Sequence, residues 1–187
     1  MDQHIFNHFQ QMIEATMHVG ESCAESIAEA ADKLSSTLLA GNTIFSCGES
    51  VSIHLSQMFV DYLSQGFEIE RPGFPAININ QLSQNSFGPD RYAQAIHTHG
   101  RQGDILVVFS TGNNSLSLHS AIETAVEKGM AIIILSNNND QLLTANLSYN
   151  DIHVNTSGFS GEMSSLAQLQ VIQCLCALID KSIFGAE

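Results

Sequence analysis

The sequence predicts an α/β fold: a doubly wound, mainly parallel sheet of five strands with helices on both faces. Five short apolar runs, typical of buried strands, lie at residues 43–46, 75–79, 104–110, 130–135 and 152–154. Between and after these runs, helical patterns indicate helices at residues 51–65, 90–99, 115–128 and 161–183. Because strands and helices alternate along the chain, we expect the strands to run parallel and the crossover helices to cover the sheet.

Two further helices are predicted ahead of the first strand, within residues 1–40. The first has apolar side chains at three- and four-residue spacing, namely Ile5, Phe6, Phe9, Met12, Ile13 and Met17. The second has a similar stripe, and Gly41 follows it at the position of a left-handed C-terminal cap. The first stripe precedes the predicted sheet and needs an apolar surface to cover it. We therefore expect it to pack against another copy of the chain.

The clearest strand–helix–strand unit spans residues 105–135. An apolar strand leads through a polar loop into a helix that starts at Ser115, and Gly129 separates this helix from the next strand. The length suits one right-handed crossover. The chain has neither a Pro- or Gly-rich linker nor an internal repeat, so we expect a single domain, with helices at 1–40 and an α/β core at 41–187.

The chain of 187 residues is strongly acidic, with 6 Lys and Arg against 19 Asp and Glu and a net charge of −13. This balance argues against nucleic acid or an anionic membrane as a direct partner, since both present negative charge. No apolar run approaches the roughly 18 residues that a membrane span requires. The N-terminus lacks the features of a signal peptide, so we expect a cytoplasmic protein.

Two polar loops, at residues 47–52 and 110–115, follow strands and lead into helices. In a parallel sheet such loops lie outside the carboxyl ends of the strands, where ligands bind. The hydroxyls of these loops belong to Ser50, Ser52, Ser110, Thr111 and Ser115. Together with free backbone N–H groups at a helix start, they form donors suited to a phosphate. The same residue types are common in turns and N-caps, so both interpretations stay open.

Three longer motifs resemble a known family. CG-x-S-x-S begins at Cys47, E-x-E-R-P-G-x-P-A-I spans 68–77 and G-R-x-G-D-I-L-x-x-x-S-T-x-x-N-S spans 100–115. With the two leading helices, they resemble the flavodoxin-like sugar isomerase (SIS) domains, in particular the phosphoheptose isomerase group. The resemblance covers nearly the whole chain. The tail at 174–184 is similar to the DnaA initiator-associating branch of that group.

The resemblance places a phosphosugar site on six residues of the two loops, namely Glu49, Ser50, Ser52, Ser110, Thr111 and Ser115. This chain departs from the isomerases in two places that affect charge. Glu49 replaces an Asn of the isomerases, and Gly66 stands near the position of an Arg. Because a carboxylate repels a phosphate dianion, we expect weaker phosphate binding or a different ligand.

The positions that perform the chemistry in the isomerases have also changed. By the resemblance, their catalytic Glu and His fall on Tyr62 and Gln168, and a metal-binding His falls on Met58. Glutamine does not exchange a proton near neutral pH, and a tyrosine side chain, with a reference pKa of ~10, is a poor base. The expectation is therefore a protein with no catalytic residues, no metal site and no cofactor.

Three functions follow from the resemblance. The first is a non-catalytic homotetramer that binds a phosphosugar-like ligand, the replication initiator DnaA, or both, and so regulates the initiation of DNA replication. Its partner surface maps to Ile183 and Phe184, although these residues are equally well explained as the buried end of the last helix. The second is a phosphoheptose isomerase, which converts sedoheptulose 7-phosphate for lipopolysaccharide heptose. The third is a phosphosugar sensor, whose ligand alters partner binding.

Overall fold

The computed structural model describes residues 2–137, 139–156 and 162–185. Its helices are α1 (Asp2–Ser22), α2 (Ala24–Leu39), α3 (Ser52–Gln65), α4 (Ile79–Leu82), α5 (Arg91–His99), α6 (Leu116–Glu127), α7 (Gln141–Thr144) and α8 (Glu162–Phe184). Its strands are β1 (Ile44–Gly48), β2 (Ala76–Asn78), β3 (Ile105–Phe109), β4 (Ala131–Ser136) and β5 (Ile152–Asn155). Two helices therefore lead, and strands then alternate with helices as predicted.

The five strands form one sheet in the order β2-β1-β3-β4-β5, and each neighbouring pair runs parallel. In the central strand β3, Ile105 aligns with Ile44 of β1 and with Ala131 of β4. The chain moves outward from β1 to β2 and then crosses back to β3, so the sheet is wound in both directions. This topology confirms the predicted α/β class.

Helices cover both faces of the sheet. On one face, α2, α3 and α8 pack on alternate strand residues, with Leu34, Phe59 and Phe109 among the largest buried side chains. On the other face, residues of α5 and α6 pack on the intervening strand positions, such as Phe45 and Val108. Because β3 is buried along its whole length, its sequence is a continuous apolar run instead of an alternating one.

Glycines follow two helices at the predicted positions. Gly41 comes after α2 with a φ of 80°, and Gly129 comes after α6 with a φ of 73°, both in the left-handed region that favours glycine. The one-turn helices α4 and α7 were not predicted, because four residues are too few to show a helical period. α4 is stabilised by its N-cap, since the Asn78 side chain accepts a hydrogen bond from the backbone N–H of Asn80.

The apolar stripe of α1 is uncovered in the protomer. Ala15 and Val19 are buried, and the helix packs along α8. Five other apolar side chains of α1 are more than half exposed, namely Ile5, Phe6, Phe9, Ile13 and Met17. A contiguous exposed apolar surface is typical of an interaction site, so α1 has the surface that the expected contact with another copy requires.

By length and composition, α8 is apolar enough to cross a membrane. The expectation that no apolar stretch reaches this length overlooked α8, because Ser and Gln interrupt its apolar residues. Half of the stretch is buried inside the protein, where α8 packs against α1, α2 and α3. Its apolar character is therefore explained by its place in the core.

Candidate functional site

Residues 47–52 (the first loop) and 110–115 (the second loop) lie next to each other in the structure. β1 and β3 pair in register as far as Gly48 and Phe109, so both loops leave the carboxyl edge of the sheet side by side. α3 begins at Ser52, and α6 begins directly after Ser115. Each loop therefore leads into the positive end of a helix dipole, as the sequence predicted.

The second loop is held by a carboxylate from the segment after β4. Ser110 is buried, and its Oγ donates a hydrogen bond to Oδ1 of Asp140 over 2.9 Å. The backbone N–H of Asn114 donates to the same oxygen over 3.2 Å. Asp140 is itself only 1% exposed. Two donors of the predicted phosphate loop are therefore bonded to an acidic side chain of the protein.

The remaining predicted residues of the second loop have different surroundings. Ser115 is the N-cap of α6, and its Oγ accepts a hydrogen bond from the backbone N–H of Leu118 over 3.2 Å. Thr111 is half-buried. Gly112 has a φ of 97°, and a Cβ at this position would lie 2.8 Å from Oδ1 of Asn137. Any other residue at position 112 would therefore be strained on this path.

The first loop contains a buried hydroxyl group without a partner. Ser52 is fully buried, and its Oγ makes no hydrogen bond within the part of the chain that the structure describes. Ser50 is exposed and has a φ of 53°. A Cβ at Gly48 would lie 2.4 Å from the carbonyl oxygen of Ser52, so the turn into α3 has no room for a side chain there. The Ser52 hydroxyl is therefore a buried polar group that no described residue satisfies.

Glu49 is paired with a cation in the structure. Its carboxylate forms an ion pair with the guanidinium of Arg91, at the start of α5. The same guanidinium lies over the ring of Tyr92, 4.6 Å from the ring centroid. Arg91 follows Glu49 by 42 positions, and no local motif connects the two residues. This contact offsets part of the negative charge that the sequence placed beside the phosphate loop.

A polar network that the sequence did not reveal supports the first loop. Nδ2 of Asn80 donates to the carbonyl of Gly48 over 2.7 Å and to the hydroxyl of Tyr92 over 2.8 Å. Burial raises the pKa of Tyr92 to about 12, so its hydroxyl stays protonated near neutral pH and donates to the same carbonyl. Asn80 and Tyr92 lie outside both predicted loops, and this is why the sequence motifs did not identify them.

An open cleft of about 460 Å³ lies beside the first loop. The side chains that line it include His54, Gln57, Asn80, Gln81 and Arg91. Amide groups both donate and accept hydrogen bonds, so this lining suits a ligand that is rich in hydroxyl groups. The cleft was not predicted because its residues come from α3, α4 and α5 and share no motif.

The three positions that the resemblance assigned to the acid, the base and the metal ligand are buried or half-buried in the structure. Gln168 is fully buried, and its Nε2 donates to the carbonyl of Ser110 over 2.6 Å and to a second carbonyl at the end of β4 over 3.3 Å. Tyr62 is half-buried, and its ring packs on Phe67 with centroids 4.8 Å apart. Met58 is also half-buried. Among the described residues, no group of three His, Cys, Asp or Glu could hold a metal ion.

The predicted partner pair is divided between the core and the surface. Ile183, on α8, packs against the core on the face of the sheet that α2, α3 and α8 cover. Phe184 is 46% exposed, and its ring stacks on Phe74 with centroids 5.9 Å apart. The guanidinium of Arg71 lies 4.0 Å from the Phe74 centroid. Because Phe74 directly precedes the segment that enters β2, this surface lies at the amino edge of the sheet, opposite both loops.

Comparison with known proteins places this architecture in a family, since residues 7–137 match the family model of the SIS domain. The chain belongs to the SIS domain family. A phosphoheptose isomerase of Shewanella piezotolerans (strain WP3 / JCM 13877) is 31% identical to this SIS protein over 194 residues, covering 100% of this chain and 98% of the relative. The DnaA initiator-associating protein DiaA of Klebsiella pneumoniae subsp. pneumoniae is 30% identical over 183 residues, covering 94% and 93%.

The fold of this SIS protein also matches solved structures. A phosphoheptose isomerase from Francisella tularensis superposes with a TM-score of 0.86 at 28% identity, covering 96% of this chain and 97% of that chain. The family resemblance of the motifs is therefore confirmed. Because the isomerase and the DnaA-associating relatives match at nearly equal identity, overall similarity does not separate the two roles.

Proposed function

We propose that this SIS protein is non-catalytic and acts by binding, as a single domain of residues 1–187 that assembles into a cytoplasmic homotetramer. Its principal partner is the replication initiator DnaA, and through this contact it regulates the initiation of DNA replication. A phosphosugar-like ligand at the two loops is a second candidate partner. No metal or cofactor takes part in this role.

The position of Gln168 is the observation that supports this proposal most strongly. Aldose–ketose isomerisation needs groups that take a proton from one carbon and deliver it to the next. The Gln168 amide has no proton to exchange near neutral pH, and it is already bonded to two backbone carbonyls. At the aligned position of the other group stands Tyr62, and a phenol is a poor base near neutral pH.

Phe184 supplies a suitable anchor for a protein partner. A few buried aromatic side chains commonly dominate the free energy of a protein interface. The Phe184 ring is half-exposed and rests on Phe74, whose own ring is held against the Arg71 guanidinium. An anchor that is positioned before binding loses little conformational entropy when the partner arrives.

Assembly into a homotetramer multiplies this surface. The exposed apolar stripe of α1 supports contact with other copies of the chain. Several Phe184 surfaces on one assembly raise the effective concentration of each bound DnaA molecule for its neighbours. The proposed activity therefore consists of bringing DnaA molecules together, without a chemical step.

The partner surface is tested by capture of purified DnaA on the immobilised protein. We expect Phe184→Ala to reduce capture by at least about tenfold, since loss of a central aromatic anchor commonly costs about 2 kcal/mol or more. Phe87→Ala is the matched control, because it removes an 89% exposed ring from the cleft at the opposite edge of the sheet. Both variants should keep the assembly size of the wild type. Undiminished capture by Phe184→Ala contradicts the proposed surface.

Phosphoheptose isomerase activity is the second candidate function, and the 31% identity to a phosphoheptose isomerase over the whole chain favours it. An assay with sedoheptulose 7-phosphate distinguishes the two candidates. The proposal expects no turnover above background. A rate within about tenfold of a genuine isomerase, a difference of only ~1.4 kcal/mol in activation free energy, contradicts the non-catalytic role.

The phosphosugar-sensor hypothesis makes a separate prediction. If a sugar phosphate bound at the two loops alters DnaA affinity, DnaA must alter the affinity of the sugar phosphate by the same factor. Capture of DnaA with and without a panel of sugar phosphates measures this coupling. Equal capture under both conditions contradicts the sensor hypothesis while leaving the DnaA proposal intact.

A further inference from the structure

The segment after β4 is fastened to the second loop by side chains from both. In addition to the two hydrogen bonds that Asp140 accepts, Nδ2 of Asn114 donates to the carbonyl of Asn139 over 2.6 Å. The backbone N–H of Leu142 donates to Oδ1 of Asn114 over 3.1 Å. Asn114 has a φ of 45°, a left-handed conformation that Asn tolerates better than most residues. This turn directs its N–H group at Asp140.

Asp140 occupies the place that an anion would take in this loop. Its Oδ1 accepts from the Ser110 hydroxyl, directly after β3, and from the Asn114 N–H, just before α6, and hydroxyl and backbone N–H groups are the donor types that hold a phosphate oxygen. Its Oδ2 is buried and makes no hydrogen bond to any residue the structure describes. The Asp140 carboxylate of the protein itself therefore already accepts the hydrogen bonds of these two donors.

We propose that Asp140 is the specificity-determining residue of the second loop: a built-in anion that excludes phosphate dianions from the donors of Ser110 and Asn114. This inference rests on the proposed function and narrows its second candidate partner: a phosphosugar-like ligand would bind the two loops through groups other than the donors of Ser110 and Asn114. A phosphate must displace the carboxylate or lie close to it, and like charges within about 4–6 Å repel. The wild-type protein therefore discriminates against phosphate dianions at these two donors.

The test is calorimetric titration with inorganic phosphate. Asp140→Ala removes the carboxylate and frees both donors, whereas Asp140→Asn removes the charge and keeps an oxygen acceptor for Ser110. We expect both variants to bind phosphate at least about tenfold more tightly than the wild type, with the larger gain for Asp140→Ala. Adding Ser110→Ala to Asp140→Asn should cancel the gain, because it removes the hydroxyl donor.

Asp90→Ala is the matched control for the change in net charge. Asp90 also precedes a helix and accepts a serine hydroxyl, from Ser120 over 2.9 Å, but it is exposed and contributes no bond to the second loop. We expect Asp90→Ala to bind phosphate like the wild type. The inference is overturned if the folded Asp140 variants gain no affinity, or if the wild type already binds phosphate as tightly as they do. DnaA capture by the wild type is measured separately, and its failure counts against the proposed function alone.

Discussion

A single buried amide connects the candidate site to the core. Gln168 lies on α8, yet its Nε2 reaches two carbonyl oxygens at the ends of β3 and β4, where the second loop begins. A buried carbonyl without a donor costs free energy, so this side chain stabilises the carboxyl edge of the sheet. Gln168, which the resemblance assigned to a proton-transferring position, therefore has a structural contact in this protein.

Gln168→Leu tests that contact, because leucine has a similar volume and no donor. We expect the free energy of unfolding to fall by about 1 kcal/mol, since the Ser110 carbonyl loses its donor while the Leu135 carbonyl keeps the backbone N–H of Ser110. Urea denaturation monitored by circular dichroism measures the change. Gln173→Leu, at a half-buried position of the same helix, is the control and should change stability less. If the Gln168 variant is as stable as the wild type, the amide contributes nothing to the loop.

At the level of elements, one guanidinium joins three segments of the protein. Nε of Arg71, just before β2, pairs with Oδ1 of Asp180 on α8 over 2.6 Å, and both side chains are buried. The other nitrogens of Arg71 donate to the carbonyls of Leu63 and Tyr62 near the end of α3. These bonds hold the Arg71 guanidinium in place over the Phe74 ring, and the exposed Phe184 ring stacks on Phe74.

Asp180→Ala leaves the Arg71 guanidinium buried without its partner. We expect a loss of about 3–5 kcal/mol in the free energy of unfolding, since breaking one side of a buried ion pair leaves an uncompensated charge. Glu123→Ala provides the contrast: Glu123 is 54% exposed and lies 3.4 Å from His119, so its removal should cost less than about 1 kcal/mol. Chemical denaturation of both variants gives the two values. Similar small losses in both would contradict the structural role of Arg71.

At the scale of the whole molecule, the protein combines a strongly acidic composition with one uncovered apolar helix. The net charge of −13 keeps direct contact with DNA or an anionic membrane unfavourable. The exposed side chains of α1 favour association with another apolar surface instead. Together these properties are consistent with a protein that acts through self-assembly and a protein partner.

Phe6→Glu combined with Phe9→Glu places two charges in the α1 stripe. We expect the proposed homotetramer to dissociate into smaller species, because each carboxylate loses its hydration when the interface closes. Size-exclusion chromatography with light scattering measures the assembly size. The control is Asn7→Glu, which adds one carboxylate at an exposed residue of the same helix and keeps an acceptor for the Gln3 amide. An unchanged size for the Phe6 and Phe9 variant contradicts the role of the stripe in assembly.

The architecture of the whole chain was largely predictable because its elements are regular and locally encoded. The apolar runs at 104–110 and 130–135 correspond to β3 (Ile105–Phe109) and β4 (Ala131–Ser136). The helices differ from their predicted bounds only near their ends. α4 and α7 were missed because one turn has no periodicity. The polar cleft was missed because its residues converge only when α3, α4 and α5 pack together.

The order of apolar and polar residues was sufficient to predict the fold class and the two serine-containing loops at the carboxyl edge, and three longer motifs carried the resemblance to the family. Only the tertiary structure shows which polar groups of those loops are bonded to other residues of the protein. Ser110 is bonded to Asp140, 30 positions away, and Glu49 to Arg91, 42 positions away. Periodicity arises from residues that are close along the chain, whereas the partner of a hydroxyl or carboxylate depends on how distant segments pack. The two loops could therefore be located in the primary structure, whereas the hydrogen bonds of the Asp140 carboxylate to the second loop could not.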